Sequence, residues 1–237
     1  HLISDYTNWK LVGNKSDEEL AHQIFKDKND ILIDLSGFAP RNRIELFKLK
    51  PCKLQASWAG WLASTRLKEM DYIIGDKIAT PHRDQRNFTE KIYNLPNSWC
   101  VYSESELNKN LIKHPKKKDS VVFGCFQRPE KLNNPLLNSW SQIMRSCPKS
   151  YLQFNNKYYS DNEEIIIKKF FSKRGIEKSR IIFNRCKNRK AYLESFNKVD
   201  IYLDTFPYNG GTTSFEASFF NIPILTLKNE SHMFRCG

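Results

Sequence analysis

The chain has 237 residues, enough for two lobes of roughly 100 to 120 residues with separate cores. Its hydrophobic content of 40% and aromatic content of 13% exclude a disordered tail, and no apolar run approaches the roughly 20 residues that cross a bilayer. A net charge of +12 would suit a polyanion, yet it is spread along the chain, with Lys116, Lys117 and Lys118 as its run, which argues against a nucleic-acid partner.

The opening HLISDYTNWK lacks the charged start and apolar stretch of a signal peptide, so a soluble, cytoplasmic protein with no membrane partner is expected. His1 stands where a methionine would, and the chain stops at HMFRCG just past an apolar strand; both read as a fragment. Between residues 15 and 28, Ser16 followed by Glu19 and by apolar Leu20, Ala21, Ile24 and Phe25 predicts a capping box and an amphipathic helix. Ile31, Leu32, Ile33 and Leu35, bounded by Asp30 and Gly37, read as a buried parallel strand. RNRIELFKLK then predicts a helix, and KLQASWAG and MDYIIGD predict strands. The polar stretch from Asn108 to Ser120 reads as a linker. The expected organisation is therefore part of an N-terminal lobe over 1–112, a linker over 113–119, and a C-terminal lobe over 120–237 that is cut at its end.

The second half opens with a strand over 120–126 that runs into a loop at 127–130. NPLLNSWSQIMRSCP carries apolar residues at helical spacing and is stopped by Pro148. SYLQF predicts a strand, NEEIIIKKFFSKRG a helix closed by Gly175, RIIFN a strand and KAYLESFNK a helix. VDIYLDT and IPILTL are the last strands, separated by a short helix over 213–220. Alternating strands and helices specify an α/β fold with a parallel sheet covered on both faces. Such sheets bind ligands at the carboxyl ends of their strands, here the loops after Phe126, Phe183 and Leu203. No internal repeat with a period of 20 to 50 residues is present, so no tetratricopeptide array lies within the chain. Six scattered cysteines, with no CxxC pair and no His cluster at zinc spacing, read as reduced structural thiols and no metal site.

The most informative stretch is VDIYLDTFPYNGGTTSFEASFFNIPILTL. A strand leads into Asn209, Gly210 and Gly211 before Thr212 and Thr213 open a helix. Adjacent glycines allow close backbone approach, and a helix N-terminus offers unpaired amides and partial positive charge to a phosphate. The same residues also fit a plain capping box from Thr213 to Glu216, and the local pattern leaves both readings open.

LDTFPYNGGTTSFEA resembles the LDTFPYNG-x-TT-x-x-EA signature of the SPINDLY-like O-linked N-acetylglucosamine transferases. ILIDLSG, RNRIELFKLKPCKLQASWAGW, MDYIIGD, TEKIYNLPNSW and FGCFQRPEK are similar to further family segments, in the same order and over nearly the whole chain. The resemblance implies two Rossmann-like lobes of the GT-B glycosyltransferase type, with the N-terminal lobe incomplete before His1. It implies an inverting transfer of N-acetylglucosamine from UDP to Ser or Thr of an acceptor protein, with no cofactor and no metal required. A GDP-fucose donor, or a non-catalytic sugar-nucleotide-binding remnant, is the alternative. On this resemblance Lys131 neutralises the leaving diphosphate, Thr212 and Thr213 contact it, and Glu216 contacts the ribose. Gln127 stands in place of an asparagine, Arg128 where an uncharged amide is common, Arg189 in place of a lysine and Tyr192 in place of a histidine, the last two around uracil and phosphate. Gly211 replaces a histidine of animal members.

Other residues are weaker candidates. Asp34 and Asp204 end apolar strands, where a carboxylate caps the following loop or enters a site. His22 and His82 read as surface residues. Trp58 and Trp61, beside Gly60, read as packing residues, with flanking of an acceptor peptide as the alternative.

Overall fold

The structure is a computed structural model that describes residues 7–61, 63–102, 107–113 and 119–236. The chain divides into two compact units, 1–101 and 102–237.

The first unit carries helix α1 (Asp17–Lys26) and strands β1 (Ile31–Asp34), β2 (Leu54–Trp58), β3 (Tyr72–Gly75) and β4 (Lys91–Asn94). The strands form one parallel sheet in the order β1-β2-β3-β4. The capping box at the start of α1 forms: the Ser16 hydroxyl accepts the Glu19 amide at 3.1 Å, and the Glu19 carboxylate accepts the Ser16 amide at 2.9 Å. Leu20 and Ala21 of α1 pack with Ile44, Leu46, Phe47 and Met70 against the face of the sheet that carries Leu32.

Three features depart from the sequence expectation. RNRIELFKLK forms a 3-10 helix, Ile44–Leu49, which places Ile44 and Phe47 on one buried face at a three-residue period. It ends at Lys50, whose φ is 47°, just before Pro51, which cannot continue a helix. Strand β1 is not buried throughout: Ile31 and Ile33 alternate onto the face away from α1 and are exposed, because β1 lies at the sheet edge and α1 covers one face only. Strand β4, within TEKIYNLP, was not anticipated; of its four residues only Ile92 is buried, too short a pattern to signal a strand.

The second unit carries β5 (Val122–Cys125), α2 (Asn134–Ser146), β6 (Tyr151–Asn155), α3 (Asp161–Ser172), β7 (Ile181–Asn184), α4 (Arg189–Glu194), β8 (Ile201–Leu203), α5 (Thr212–Phe219) and β9 (Ile224–Leu225). All five strands are parallel, in the order β7-β6-β5-β8-β9. Side-chain alternation divides the core between two faces. Phe123, Cys125, Leu152, Phe154 and Leu203 meet α2 and α3 through Leu136, Trp140, Met144, Ile167 and Phe171. Phe126 and Tyr202 meet Leu193, Phe196, Ala217 and Phe220 on the other face.

Helices start where a side chain accepts an early amide: Asn133 for α2, Ser160 with Glu163 for α3, and Asn188 for α4. Gly175, with φ of 77°, follows α3 as expected. KAYLESFNK is α4 continued by a 3-10 turn, Ser195–Lys198. Residues 107–113 belong to the second unit: Leu107, Leu111 and Ile112 pack on its core, and the Lys113 amide donates to Asn197 Oδ1 at 2.8 Å. The run Lys116 to Lys118, and with it most of the expected linker, lies outside the described residues.

The chain passes from β5 outward to β6 and β7, then returns to place β8 and β9 on the other side of β5. Between β5 and β8 the connection reverses direction, and a parallel sheet opens a crevice at the carboxyl ends of two such strands.

Candidate active site

The loops that leave β5 and β8 meet at this crevice. After β5, Gln127 is buried, Arg128 is exposed, and Pro129–Lys131 form one 3-10 turn. After β8, Asp204 is 3% exposed and organises the whole following loop. Its Oδ1 accepts the amides of Thr205 at 2.8 Å and Gly210 at 2.7 Å, and its Oδ2 accepts the Thr226 hydroxyl at 2.9 Å. Asn209 is held inside this loop, its Nδ2 donating to the Thr205 carbonyl at 2.9 Å and to Thr226 Oγ1 at 3.1 Å.

Lys131 closes the crevice from the β5 side. Its ammonium donates to the Asn209 carbonyl at 2.8 Å and lies 3.8 Å from the centre of the Tyr208 ring. Burial pushes the Lys131 pKa down to about 8, the nearby Asp204 carboxylate opposing the shift and Arg128 adding to it. Burial likewise pushes the Asp204 carboxyl above its ordinary range, against the hydrogen bonds that favour its charged form.

The two glycines differ. A Cβ on Gly210 would lie 2.6 Å from Thr213 Oγ1 and 2.9 Å from Ser214 Oγ, so this position is filled from within by the protein's own side chains. Gly211 has nothing within 4 Å of such an atom and faces open space. Gly211 is also the N-cap of α5, without a side-chain cap. The first helical acceptor is its carbonyl, which takes the amides of Ser214 at 3.0 Å and Phe215 at 3.2 Å. The amides of Gly211, Thr212 and Thr213 are therefore the donors left at the helix start. The capping box from Thr213 to Glu216 does not form. Thr213 Oγ1 is instead the partner of Gln127 Nε2, which also donates to the Tyr202 hydroxyl at 2.9 Å.

Glu216 turns away from the helix start. Its side chain is 1% exposed, and three donors converge on its carboxylate: Arg189 Nη2 at 2.5 Å and the Tyr102 hydroxyl at 3.2 Å on Oε1, and the Tyr192 hydroxyl at 2.8 Å on Oε2. Arg189 Nη2 also donates to the Tyr102 hydroxyl at 3.1 Å. Tyr192 packs edge-on against Phe126 and Phe196, and burial is the main reason that its hydroxyl titrates well above its ordinary range. A buried carboxylate needs such partners, since an uncompensated charge there costs several kcal/mol.

The structure thus forms two groups from the sequence candidates. Lys131, Asn209, Gly210 and Thr213 gather at the strand ends, with Gly211 and Thr212 at the open helix start and Arg128 exposed at the edge. Arg189, Tyr192 and Glu216 form a second cluster along α4 and α5. Sequence reasoning missed Tyr102, which sits in no local motif, and did not single out Tyr202 within VDIYLDT; the folded sheet brings both to their partners.

Asp34 behaves as a loop cap: Oδ1 accepts the Ser36 amide at 3.0 Å and Oδ2 the Gly37 amide at 2.8 Å. Trp58 Nε1 donates to the Trp99 carbonyl at 2.7 Å, and Trp61 packs edge-on to Phe38. His22 and His82 are exposed. All six cysteines are free thiols. Among the described residues no helix is long and apolar enough to cross a membrane, and no three His, Cys, Asp or Glu side chains gather in a metal-holding group.

Two parallel α/β units of this kind occur in the GT-B class of glycosyltransferases. Consistent with that class, the chain matches the Glycosyl transferase family 41 over residues 9–118 and 112–236, and it belongs to this family. It is 26% identical over 232 residues to the probable UDP-N-acetylglucosamine–peptide N-acetylglucosaminyltransferase SPINDLY of Solanum lycopersicum, covering 97% of this chain and 25% of that protein. Identity to the Arabidopsis thaliana protein of the same description is 27% over 239 residues, again 97% and 25%. Among solved structures, a mutant of the Thermobaculum terrenum O-GlcNAc transferase superposes with a TM-score of 0.90 at 26% identity, over 99% of this chain and 45% of that one. The chain therefore spans about a quarter of the length of the curated relatives it matches.

Proposed function

We propose that this chain is the sugar-nucleotide-handling part of an inverting glycosyltransferase that moves N-acetylglucosamine from UDP to Ser or Thr hydroxyls of a protein acceptor. The donor diphosphate lies at the start of α5, against the amides of Gly211, Thr212 and Thr213. Lys131 stands beside it, and Arg128 adds positive charge at the edge. As the acceptor oxygen attacks the anomeric carbon from the opposite face and gives up its proton to solvent, the bond to the diphosphate breaks and negative charge grows on the departing phosphate oxygen. A fixed ammonium and oriented amides stabilise that charge at the moment it develops. Arg189 and Tyr192 border the nucleoside, held in place by the buried Glu216 carboxylate that receives both. The relatives described as UDP-N-acetylglucosamine–peptide N-acetylglucosaminyltransferases support the donor and the peptide acceptor.

The observation that carries this reading is Lys131: a half-buried ammonium 2.8 Å from the Asn209 carbonyl, at a strand-end crevice that also presents a helix start without a side-chain cap. Calorimetric titration with UDP, GDP and a nonspecific DNA duplex tests it. UDP is expected to bind, and Lys131→Ala and Thr213→Ala are each expected to weaken it at least tenfold, as loss of a charge-assisted contact does. Binding of GDP in place of UDP would move the donor to GDP-fucose. A chain that binds neither nucleotide at millimolar concentration, while binding the duplex with steep salt dependence, is not such an enzyme.

A further inference from the structure

Gln127 has no role in the reading above, yet it occupies the centre of the crevice. It is 4% exposed and directly follows Phe126, where the backbone leaves the sheet. Its carbonyl accepts the Tyr159 hydroxyl at 3.2 Å, which anchors the residue to the loop before α3. Its side-chain Nε2 donates to the Tyr202 hydroxyl on β8 at 2.9 Å and to Thr213 Oγ1 at the start of α5. A carboxamide nitrogen has two N–H groups, and both are committed here.

The consequence falls on Thr213. Its oxygen is an acceptor in the pair with Gln127, so its single O–H proton goes to another acceptor, either the Tyr202 hydroxyl that also hydrogen-bonds Thr213 or a ligand at the open helix start. The wall on one side is Gly210, whose missing side chain makes room for the Gln127 amide and Thr213 Oγ1. The other side is the open start of α5, where Gly211 meets nothing within 4 Å and three amides await an anion.

Resting on the donor-site reading, we propose that Gln127 is the positioning residue that turns the Thr213 hydroxyl into an outward donor for a nucleoside diphosphate. Gln127 does not touch the diphosphate. It sets the polarity of the group that does, and it ties that setting to Tyr202 on the central part of the sheet, so that the hydroxyl is oriented before the ligand arrives.

A double-mutant cycle on the 237-residue chain tests this, with UDP and uridine as titrants and thermal melting as a fold control. Gln127→Met keeps the length of the side chain and removes both donors; Thr213→Val removes the hydroxyl. Each single change is expected to weaken UDP about tenfold, within the range for a hydrogen bond to a charged group. The double variant is expected to be no weaker than either single one, because both remove the same donor. Uridine affinity is expected to stay at the wild-type value throughout. Wild-type UDP affinity in Gln127→Met overturns the proposal, and so do single losses that multiply in the double variant, or a parallel loss for uridine, which marks general loosening. If Gln127→Met melts below the titration temperature, Gln127→Asn is read in its place. Its amide is one methylene short of spanning both hydroxyls, so UDP is expected to weaken several-fold in the Thr213 background and unchanged UDP affinity overturns the proposal. A wild-type chain that binds neither UDP nor GDP fails at the earlier step, and both readings fall together.

Discussion

Asp34 and Asp76 in the first unit, and Asp204 in the second, all stand at the carboxyl end of a parallel strand with the carboxylate turned onto backbone amides of the next loop. Asp34 holds amides two and three residues ahead, and Asp76 holds those of Ile78 and Ala79 together with the more distant Trp99. Asp204 takes the amide next to it and one six residues on, closing the whole excursion from Thr205 to Asn209. A cap over a short turn shapes the turn. A cap across six residues fixes the tip of a loop, and here the tip is the Asn209 carbonyl that receives Lys131.

The sharpest way to break this comparison is to remove the caps. Asp204→Ala strands two amides and a hydroxyl beside a half-buried ammonium and is expected to cost about 3 kcal/mol in urea unfolding and to abolish UDP binding. Asp34→Ala is expected to cost about 1 to 2 kcal/mol and to leave UDP affinity unchanged. Equal losses of UDP in the two variants would show that the loops are not different in kind. Arg189→Met leaves the Glu216 carboxylate buried with only hydroxyl partners, and an unfolding free energy lower by about 3 kcal/mol is expected; a loss below about 0.5 kcal/mol would mean that Tyr192 and Tyr102 suffice.

Lys131 gives the comparison a pH signature. Its pKa in the folded chain is pushed down to about 8 from the ordinary 10.5, so protonation costs the folded state most at low pH. This group's contribution to stability therefore improves as pH rises from about 8 towards 10.5. UDP affinity has the opposite sign, because the cation is lost over the same range, and calorimetry is expected to show it falling above about pH 8. Lys131→Met is expected to flatten both slopes. The smallest effects separate the glycines: Gly210→Ala, which drives a methyl into Gln127 and Thr213, is expected to cost about 1 to 3 kcal/mol. Gly211→Ala is expected to stay within about 0.5 kcal/mol, as a surface change away from any contact does.

The order of the elements was legible because periodicity and caps are local. Ser16 with Glu19 and the apolar run of β5 announce themselves within a few residues. RNRIELFKLK failed as an α-helix because its apolar spacing fits both periods and Pro51 limits its length. The Thr213 to Glu216 box failed for a different reason: Glu216 has three partners, of which Tyr102 is 114 residues away, and no local pattern weighs a distant arginine and two hydroxyls against a backbone amide. Lys131 was legible only through resemblance. Its partner, the Asn209 carbonyl, is a backbone atom whose placement depends on Asp204.

Gly211 has a practical use that follows from its open side. A cysteine placed there would set a reactive thiol at the first turn of α5, clear of neighbouring atoms and adjacent to the amides left without helical acceptors. A small environment-sensitive dye on that thiol would sense charge and hydration at the helix start, making the position an optical port through which arrival and departure of the proposed nucleotide could be followed in time.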